Sequence, residues 1–188
     1  MRNNILSLIF MALMFCGCER YEDNLPYTVY TIKKGAHSSK SRLRWLYQPH
    51  LSYEVIFDNS CVYENEIPSN QRDINKLFGF SDCNSHHQEN SARFGWRWYN
   101  GQLEVLSYCY ARGVRTSTHI ANLQLNTPYK CHIYLYPDRY ELEIEGFAPV
   151  QENRVDVCKQ GAYYLLWPYF GGDETAPHTI RIHMRKLI

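Results

Sequence analysis

The residues of this sequence that could do chemistry concentrate in one stretch of alternating side chains, residues 93–110. Its charged and phenolic members are Arg93, Arg97, Tyr99, Glu104, Tyr108 and Tyr110. Charged groups pair with sugar hydroxyls, and aromatic rings stack on the apolar C–H faces of sugars. The stretch therefore predicts a glycan-binding surface. The alternative is an ion pair between Arg97 and Glu104, contributing about 0.5 kcal/mol, among ordinary surface tyrosines.

Two adjacent histidines precede this stretch in the polar segment 80–90. The segment also contains Asp82, Cys83 and Glu89. Imidazoles such as those of His86 and His87 serve as general bases or as metal ligands. In a polysaccharide lyase, a base such as His87 or a tyrosine would remove a proton beside a carboxylate neutralised by Arg93 or Arg97. The alternative is a solvated loop without a catalytic role.

The loop over residues 171–178, Gly-Gly-Asp-Glu-Thr-Ala-Pro-His, is a further candidate site. The carboxylates of Asp173 and Glu174, together with backbone oxygens, could hold Ca²⁺. A tight turn made of Gly, Asp and Pro needs no ion, and this is the interpretation we favour. Apart from that calcium, we expect no cofactor.

The dipeptide Asn100-Gly101 predicts the element that positions the binding surface. An Asn-Gly pair between two alternating runs is typical of a two-residue type I′ β-hairpin. The turn sets the register, which places Trp98 opposite Leu103, Trp96 opposite Val105 and Arg97 opposite Glu104. We expect the indoles to point into the core and the charged and phenolic side chains to point away from it.

The rest of the chain predicts an all-β protein. Short β-prone runs recur at the spacing of a sandwich or barrel, at 27–32, 43–46, 53–58, 114–125, 129–136, 140–145, 162–167 and 179–184. The segment 70–79, with Ser69 as a possible N-cap and Gly79 as terminator, has the pattern of a short helix. The prediction is a two-sheet antiparallel β-sandwich with one short helix.

Length and charge limit the class of protein. A chain of 188 residues with 45% apolar content is long enough for one well-buried domain. Twenty basic residues against 19 acidic ones give a formal charge of +1, which provides no field to attract nucleic acid. We therefore expect one domain over residues 27–188 and no nucleic-acid partner.

The first residues have the layout of a secretory signal. Arg2 precedes an apolar run over residues 5–15 that is too short to span a bilayer. The following Phe15-Cys16-Gly17-Cys18 resembles the lipobox of bacterial lipoproteins, which implies a signal peptide over 1–17, lipidation of Cys18 and a tether over 18–26. The alternative is an ordinary cleaved signal with two incidental cysteines. The resemblance implies an outer-membrane lipoprotein of the cell envelope, periplasmic or surface-exposed, that meets the membrane through its lipid alone.

Five cysteines remain in the expected domain. They are Cys61, Cys83, Cys109, Cys131 and Cys158. An oxidising compartment permits up to two disulfides and one thiol, and spacing alone does not give the connectivity. The alternative is buried thiols that behave as small hydrophobic side chains. None of the spacings is C-x-x-C, so a structural zinc site is not expected.

The strand Phe94-Gly95-Trp96-Arg97-Trp98, its Asn-Gly turn and the later segment 167–172, Trp-Pro-Tyr-Phe-Gly-Gly, resemble the concanavalin A-like or laminin G-like jelly rolls. Members of that superfamily bind or cleave glycans, so the resemblance implies a carbohydrate ligand. The acidic motif of its glucanase branch, Glu-x-Asp-x-x-Glu, is absent from the sequence. We expect non-catalytic binding of a glycan, or of a partner at the envelope. The alternatives are a small polysaccharide lyase or glycoside hydrolase, and a purely structural envelope protein.

Overall fold

The computed structural model describes residues 25–39, 43–46, 48–155 and 163–187. The predicted signal peptide, the Cys18 lipidation site, nearly all of the tether and Cys158 lie outside these residues. Within the described ranges, no helix is long and apolar enough to cross a membrane.

The described residues form two antiparallel sheets, which confirms the predicted β-sandwich. The strands are β1 (Thr28–Ile32), β2 (Trp45–Leu46), β3 (His50–Phe57), β4 (Asn75–Ser81), β5 (Ser91–Tyr99), β6 (Gln102–Ala111), β7 (Val114–Thr116), β8 (His119–Leu123), β9 (Tyr129–Leu135), β10 (Arg139–Ile144), β11 (Val150–Asn153), β12 (Tyr163–Leu166) and β13 (Ile180–Lys186). The first sheet has the order β1-β13-β3-β9-β10-β11, and the second has the order β2-β12-β4-β5-β6-β7, with β8 also paired to β6.

The core lies between the two sheets and is rich in aromatic rings. Trp96 of the second sheet is fully buried and packs 5.5 Å from Phe57 of the first, measured between ring centroids. Tyr53 and Phe78 make a second inter-sheet contact at 4.8 Å. The central strands contribute side chains to this layer and turn others outward, as the period of a β-strand requires, whereas β7 at the sheet edge is exposed throughout.

The predicted hairpin and its register are confirmed. Trp96 pairs with Val105 and Arg97 pairs with Glu104. Asn100 and Gly101 both have positive φ values, 50° and 73°, as a type I′ turn requires. The whole run of side chains opposite the indoles consequently lies on the outer face of the second sheet.

The predicted helix over residues 70–79 is wrong. A 3-10 helix over Pro68–Arg72 ends at the extended Asp73, and Asn75–Ser81 then forms β4. Apolar residues at 74, 77 and 78 have helical spacing, but a register shift between Lys76 and Gly79 allows the adjacent Leu77 and Phe78 both to be buried in β4. An isolated two-turn helix is marginal in water, so the pairing with β5 prevails. The consequence for function is that Lys76 lies on the outer face of a sheet.

The described cysteines include both of the expected states, buried thiols and a disulfide. Cys61, Cys109 and Cys131 are buried free thiols. Cys83, in the loop that follows β4, is disulfide-bonded. The buried thiols belong to the apolar core, whereas the disulfide constrains the loop that carries the two histidines.

A buried ion pair ties that loop to the first sheet. Asp82 has no solvent exposure and accepts from Arg154, with Nε at 2.6 Å from Oδ2 and Nη2 at 3.2 Å from Oδ1. The hydroxyl of Tyr140 in β10 donates to the same carboxylate at 2.8 Å. Since Asp82 directly follows β4, this network joins the two sheets at the base of the loop.

We expect Arg154→Met to destabilise the protein by about 3–5 kcal/mol, because it leaves the Asp82 carboxylate buried without its cation. Urea unfolding followed by circular dichroism measures the change. Arg139→Met is the matched control, since Arg139 pairs with the exposed Asp138 and should cost about 0.5 kcal/mol. Equal losses from the two variants would contradict a special role for the buried pair.

Candidate functional site

The outer face of the second sheet carries a pocket of about 490 Å³ that is lined by cationic and aromatic side chains. We call it the cationic cleft. Its lining residues are Lys76, His86, His87, Gln88, Arg93, Tyr108, Tyr110, Tyr169 and Gly172. A second pocket of about 340 Å³ adjoins it and shares His87, Arg93 and Tyr169. The two pockets are neighbours, and each has the size typical of small-molecule sites.

Arg93 occupies the junction of the two pockets. Its backbone lies between Gly79 of β4 and Tyr108 of β6 in the strand register. A Cβ on Gly79 would come within 2.7 Å of the Arg93 Cγ, so the guanidinium stem lies directly over bare main chain. Nη2 donates to the Trp167 carbonyl at 2.8 Å, and Nε has no hydrogen-bond partner among the described residues.

The electrostatic state of Arg93 is unusual for a residue that is 7% exposed. Burial lowers the pKa of its guanidinium to about 10, which still leaves it charged at neutral pH. A buried cation ordinarily has an anionic partner, because an uncompensated charge in a low-dielectric environment is costly. The absence of such a partner in the described chain marks Arg93 as a candidate ligand-binding residue.

Lys76 and Arg115 surround the ring of Tyr108. The Lys76 Nζ lies 4.8 Å from the ring centroid, and the Arg115 Cζ lies 5.6 Å from it. Burial lowers the pKa of Lys76, and the nearby Arg93 lowers it further. Burial alone would raise the pKa of Tyr108, but the charges of Lys76 and Arg115 and hydrogen bonds from Arg115 and Tyr110 lower it overall. The three cations therefore favour negative charge at this point.

The other buried or half-buried arginines of the described chain contrast with Arg93. Each of them lies within ion-pair distance of a carboxylate: Arg97–Glu104 at 2.6 Å, Arg139–Asp138 at 3.1 Å, Arg154–Asp82 at 2.6 Å and Arg185–Glu54 at 2.9 Å. No described carboxylate lies within 4.0 Å of Lys76, Arg93 or Arg115. The cleft is thus a local concentration of unpaired positive charge in a protein of nearly zero net charge.

His87 forms part of the wall between the pockets. Its backbone N–H donates to the Tyr164 hydroxyl at 3.1 Å, and its Nδ1 lies 3.2 Å from the same oxygen. The hydroxyl of Ser91 donates to the His87 carbonyl at 2.6 Å and anchors the loop to β5. Burial lowers the pKa of His87 to about 4, with further contributions from His86 and Arg93. The imidazole is therefore neutral at pH 7 and able to accept or donate a hydrogen bond.

Three of the residues predicted from the hairpin lie outside the cleft. Arg97 binds Glu104 through Nε and donates to the Arg72 carbonyl from Nη1 at 2.7 Å. Tyr99 lies against the Arg97 guanidinium, with 4.8 Å between the ring centroid and Cζ. These contacts use the donors of Arg97 within the protein, whereas Arg93, Tyr108, Tyr110, His86 and His87 come together in the cleft.

The candidate calcium loop is used for a different purpose. Glu174 accepts from the backbone N–H groups of Glu66 and Ile67 at 2.8 and 3.1 Å, and from the Asn70 side chain at 2.9 Å. Its carboxylate thus caps the segment that leads into the 3-10 helix, while Asp173 is exposed. In the described part of the chain, no group of three or more His, Cys, Asp or Glu residues is arranged to hold a metal ion.

Sequence reasoning missed four members of the site: Lys76, Arg115, Tyr164 and Tyr169. Lys76 was hidden by the helical assignment of its segment. Arg115 had a usable signal, because the turn at Arg112-Gly113 places it opposite Tyr110. Tyr164 reaches the adjoining pocket through the pairing of β12 with β4, and Tyr169 reaches the cleft through its own pairing with Lys76. No local sequence pattern reveals these long-range pairings.

Similar solved structures share this architecture. They include alginate lyase AlyC3 in complex with dimannuronate (TM-score 0.57, 9% identity, 84% of this chain and 71% of that chain). They also include SCLam, a non-specific endo-β-1,3(4)-glucanase from family GH16 (0.54, 7%, 84% and 69%), and the catalytic domain of an endo-1,3-β-glucanase from Thermotoga petrophila RKU-1 (0.53, 11%, 84% and 74%). At these identities the similarity shows a common jelly-roll fold. No protein-family profile matches the sequence, and no curated protein sequence matches it.

We expect Tyr108 to ionise at lower pH than a free tyrosine, because Lys76 and Arg115 stabilise its phenolate. Ultraviolet titration of the 16 tyrosines of the chain measures the effect. Tyr108→Phe should remove the earliest part of the titration, and Lys76→Met should move that part to higher pH. Tyr134→Phe is the control, since burial and nearby glutamates raise the pKa of Tyr134. An unchanged early phase in Tyr108→Phe would contradict the assignment.

Proposed function

We propose that the protein binds an acidic glycan in the cationic cleft and the adjoining pocket. The observation that carries this proposal is the unpaired, buried guanidinium of Arg93 in a recess lined by tyrosines. A carboxylate on a sugar ring would supply the counter-charge that the protein itself does not provide. The ligand would thereby lower the electrostatic cost of burying the guanidinium.

The remaining lining residues suit the rest of a sugar ring. The hydroxyl groups of Tyr110 and Tyr164 can donate to or accept from sugar hydroxyls. Tyr169 is 37% exposed, and its ring offers a flat apolar surface for the C–H face of a pyranose. The combination of a few charged groups with aromatic rings is typical of sites that fix both the position and the orientation of a small polar ligand.

The structural comparisons support a carbohydrate as the ligand class. The similar structures are described as an alginate lyase with dimannuronate and as β-glucanases. Fold similarity alone does not determine function, so the preference for an acidic glycan comes from the charges of this cleft. The lipobox-like sequence of the first residues also supports a location for the protein. We propose that it is a lipoprotein, exported to the cell envelope and anchored through Cys18.

We expect Arg93→Met to weaken binding of an acidic oligosaccharide about tenfold or more, because it removes the buried cation. Isothermal titration with a uronate oligosaccharide measures the change. Arg97→Met is the matched control, on the same strand and the same face but outside the cleft, and should bind within about twofold of the wild type. Thermal unfolding establishes that both variants are folded.

Two outcomes would contradict the proposal. One is the failure of the wild-type protein to bind any acidic glycan in a saturable manner. The other is an equal loss of affinity in Arg93→Met and Arg97→Met, which would place the ligand elsewhere on the sheet.

A second candidate is a polysaccharide lyase acting at the same place. The lowered pKa of Tyr108 favours it, because a phenolate beside two cations can act as a general base. The phenolate would take the proton next to the uronate carboxylate while Arg93 stabilises the resulting negative charge. The electrons would form a carbon–carbon double bond and expel the glycosidic oxygen, which receives the proton from Tyr108. Hydrolysis lacks comparable support, since no described residue that lines either pocket is the Asp or Glu that a glycosidase needs.

The lyase is tested by the ultraviolet absorbance of new double bonds during incubation with polyuronates. A lyase should give absorbance that grows in proportion to enzyme, and Tyr108→Phe should reduce that rate by about 100-fold or more while preserving binding. If the protein binds polyuronates saturably but the absorbance does not grow, the lyase is excluded for those glycans. The non-catalytic function then stands.

A further inference from the structure

The amount of unpaired charge in the cleft exceeds what one carboxylate can neutralise. Arg93 and Lys76 line the pocket, and Arg115 lies against the same tyrosine ring as Lys76. Lys76 is already affected by the charges of Arg93 and Arg115, which lower its pKa in addition to burial. The charge of Asp73 acts on Arg115, but a ligand with a single negative charge at Arg93 would still leave Lys76 without a carboxylate within ion-pair distance in a partly desolvated site.

The cations also fall into two chemically different groups. Arg93 presents a planar guanidinium that is buried and fixed by the Trp167 carbonyl. A planar fork of N–H donors suits a planar carboxylate. Around Tyr108, by contrast, the Lys76 Nζ lies 4.8 Å and the Arg115 Cζ 5.6 Å from the ring centroid, and the side chains of Arg115 and Tyr110 hydrogen-bond with Tyr108. A point-like ammonium and donors on separate side chains lack the single plane that suits a carboxylate, and they fit the three free oxygens of a tetrahedral anion.

The two groups are close neighbours. Arg93 and Tyr108 are directly paired across β5 and β6, and both line one pocket of about 490 Å³. That volume is typical of a site for one small ligand, so anions bound by the two groups must be attached to the same sugar or to consecutive sugars. A polymer that carries widely spaced charges would not place both anions in this pocket.

We propose that the ligand is a sulfated uronate glycan, in which a carboxylate binds at Arg93 and a sulfate ester binds among Lys76, Arg115 and Tyr110. This inference rests on the proposed function and assigns the charge pattern of the ligand. It also gives Arg115, which is exposed and lies at the edge of the sheet, a role in selecting sulfated over unsulfated chains.

Calorimetric titration with chondroitin and chondroitin sulfate oligosaccharides of equal length tests the proposal at one fixed salt concentration. The sulfated oligosaccharide should bind about tenfold more tightly, since each additional charge-assisted contact contributes about 1.4 kcal/mol or more. Arg115→Gln should reduce this preference to about threefold or less. Lys76→Met should abolish the preference.

Two controls separate recognition from general attraction between charges. Arg181→Gln removes the same charge from an exposed position on the first sheet and should leave the preference intact. A sulfated glucan without carboxylates should bind more weakly than chondroitin sulfate, because it lacks the anion for Arg93.

The outcomes distinguish this inference from the function on which it rests. Equal affinity for sulfated and unsulfated chains, a preference that survives in Arg115→Gln and Lys76→Met, or equal binding of the sulfated glucan would overturn the charge pattern while the binding of acidic glycans stands. Failure of every acidic glycan to bind would overturn both.

Discussion

The proposed function depends on one buried charge, the guanidinium of Arg93 on the outer face of the second sheet, which has no carboxylate partner among the described residues. The other buried or half-buried arginines that the structure describes are paired with carboxylates, as Arg154 is with Asp82, Arg97 with Glu104 and Arg185 with Glu54. Arg93 is the exception among these arginines, and this contrast is the main argument for the proposed anionic ligand. The positions of Lys76 and Arg115 strengthen the same field.

The architecture explains how such a charge can be maintained. The two sheets bury their aromatic layer once, between Trp96 and Phe57, and stability therefore does not require the outer face of the second sheet to be apolar. The loop with His86 and His87 closes one side of the recess and is held by the buried Asp82 carboxylate and by a disulfide at Cys83. The site is thus supported by a rigid layer below it and a tethered loop beside it.

Local sequence patterns predicted the parts of the protein that depend on local rules. The Asn100-Gly101 turn gave the register of β5 and β6, and from it the common face of Arg93, Tyr108 and Tyr110. The helix prediction at residues 70–79 was wrong. The apolar spacing there was compatible with a helix, and only the pairing with β5 makes the segment a strand. The same limit hid Lys76, and Tyr164 and Tyr169 depend on long-range pairing that no short window contains. The Arg97–Glu104 pair was predicted correctly as a contact, but its donors are used inside the protein.

Gly79 has a consequence beyond its own strand. Because its missing side chain leaves the path across β4 open, the long stem of Arg93 can lie flat and bring its charge to the Trp167 carbonyl. A side chain at position 79 would clash with the backbone oxygen of Ala92 as well as meet the Arg93 stem at 2.7 Å. Any residue other than glycine there would therefore push β4 and β5 apart, and the place of the guanidinium would be lost together with the spacing of the two strands.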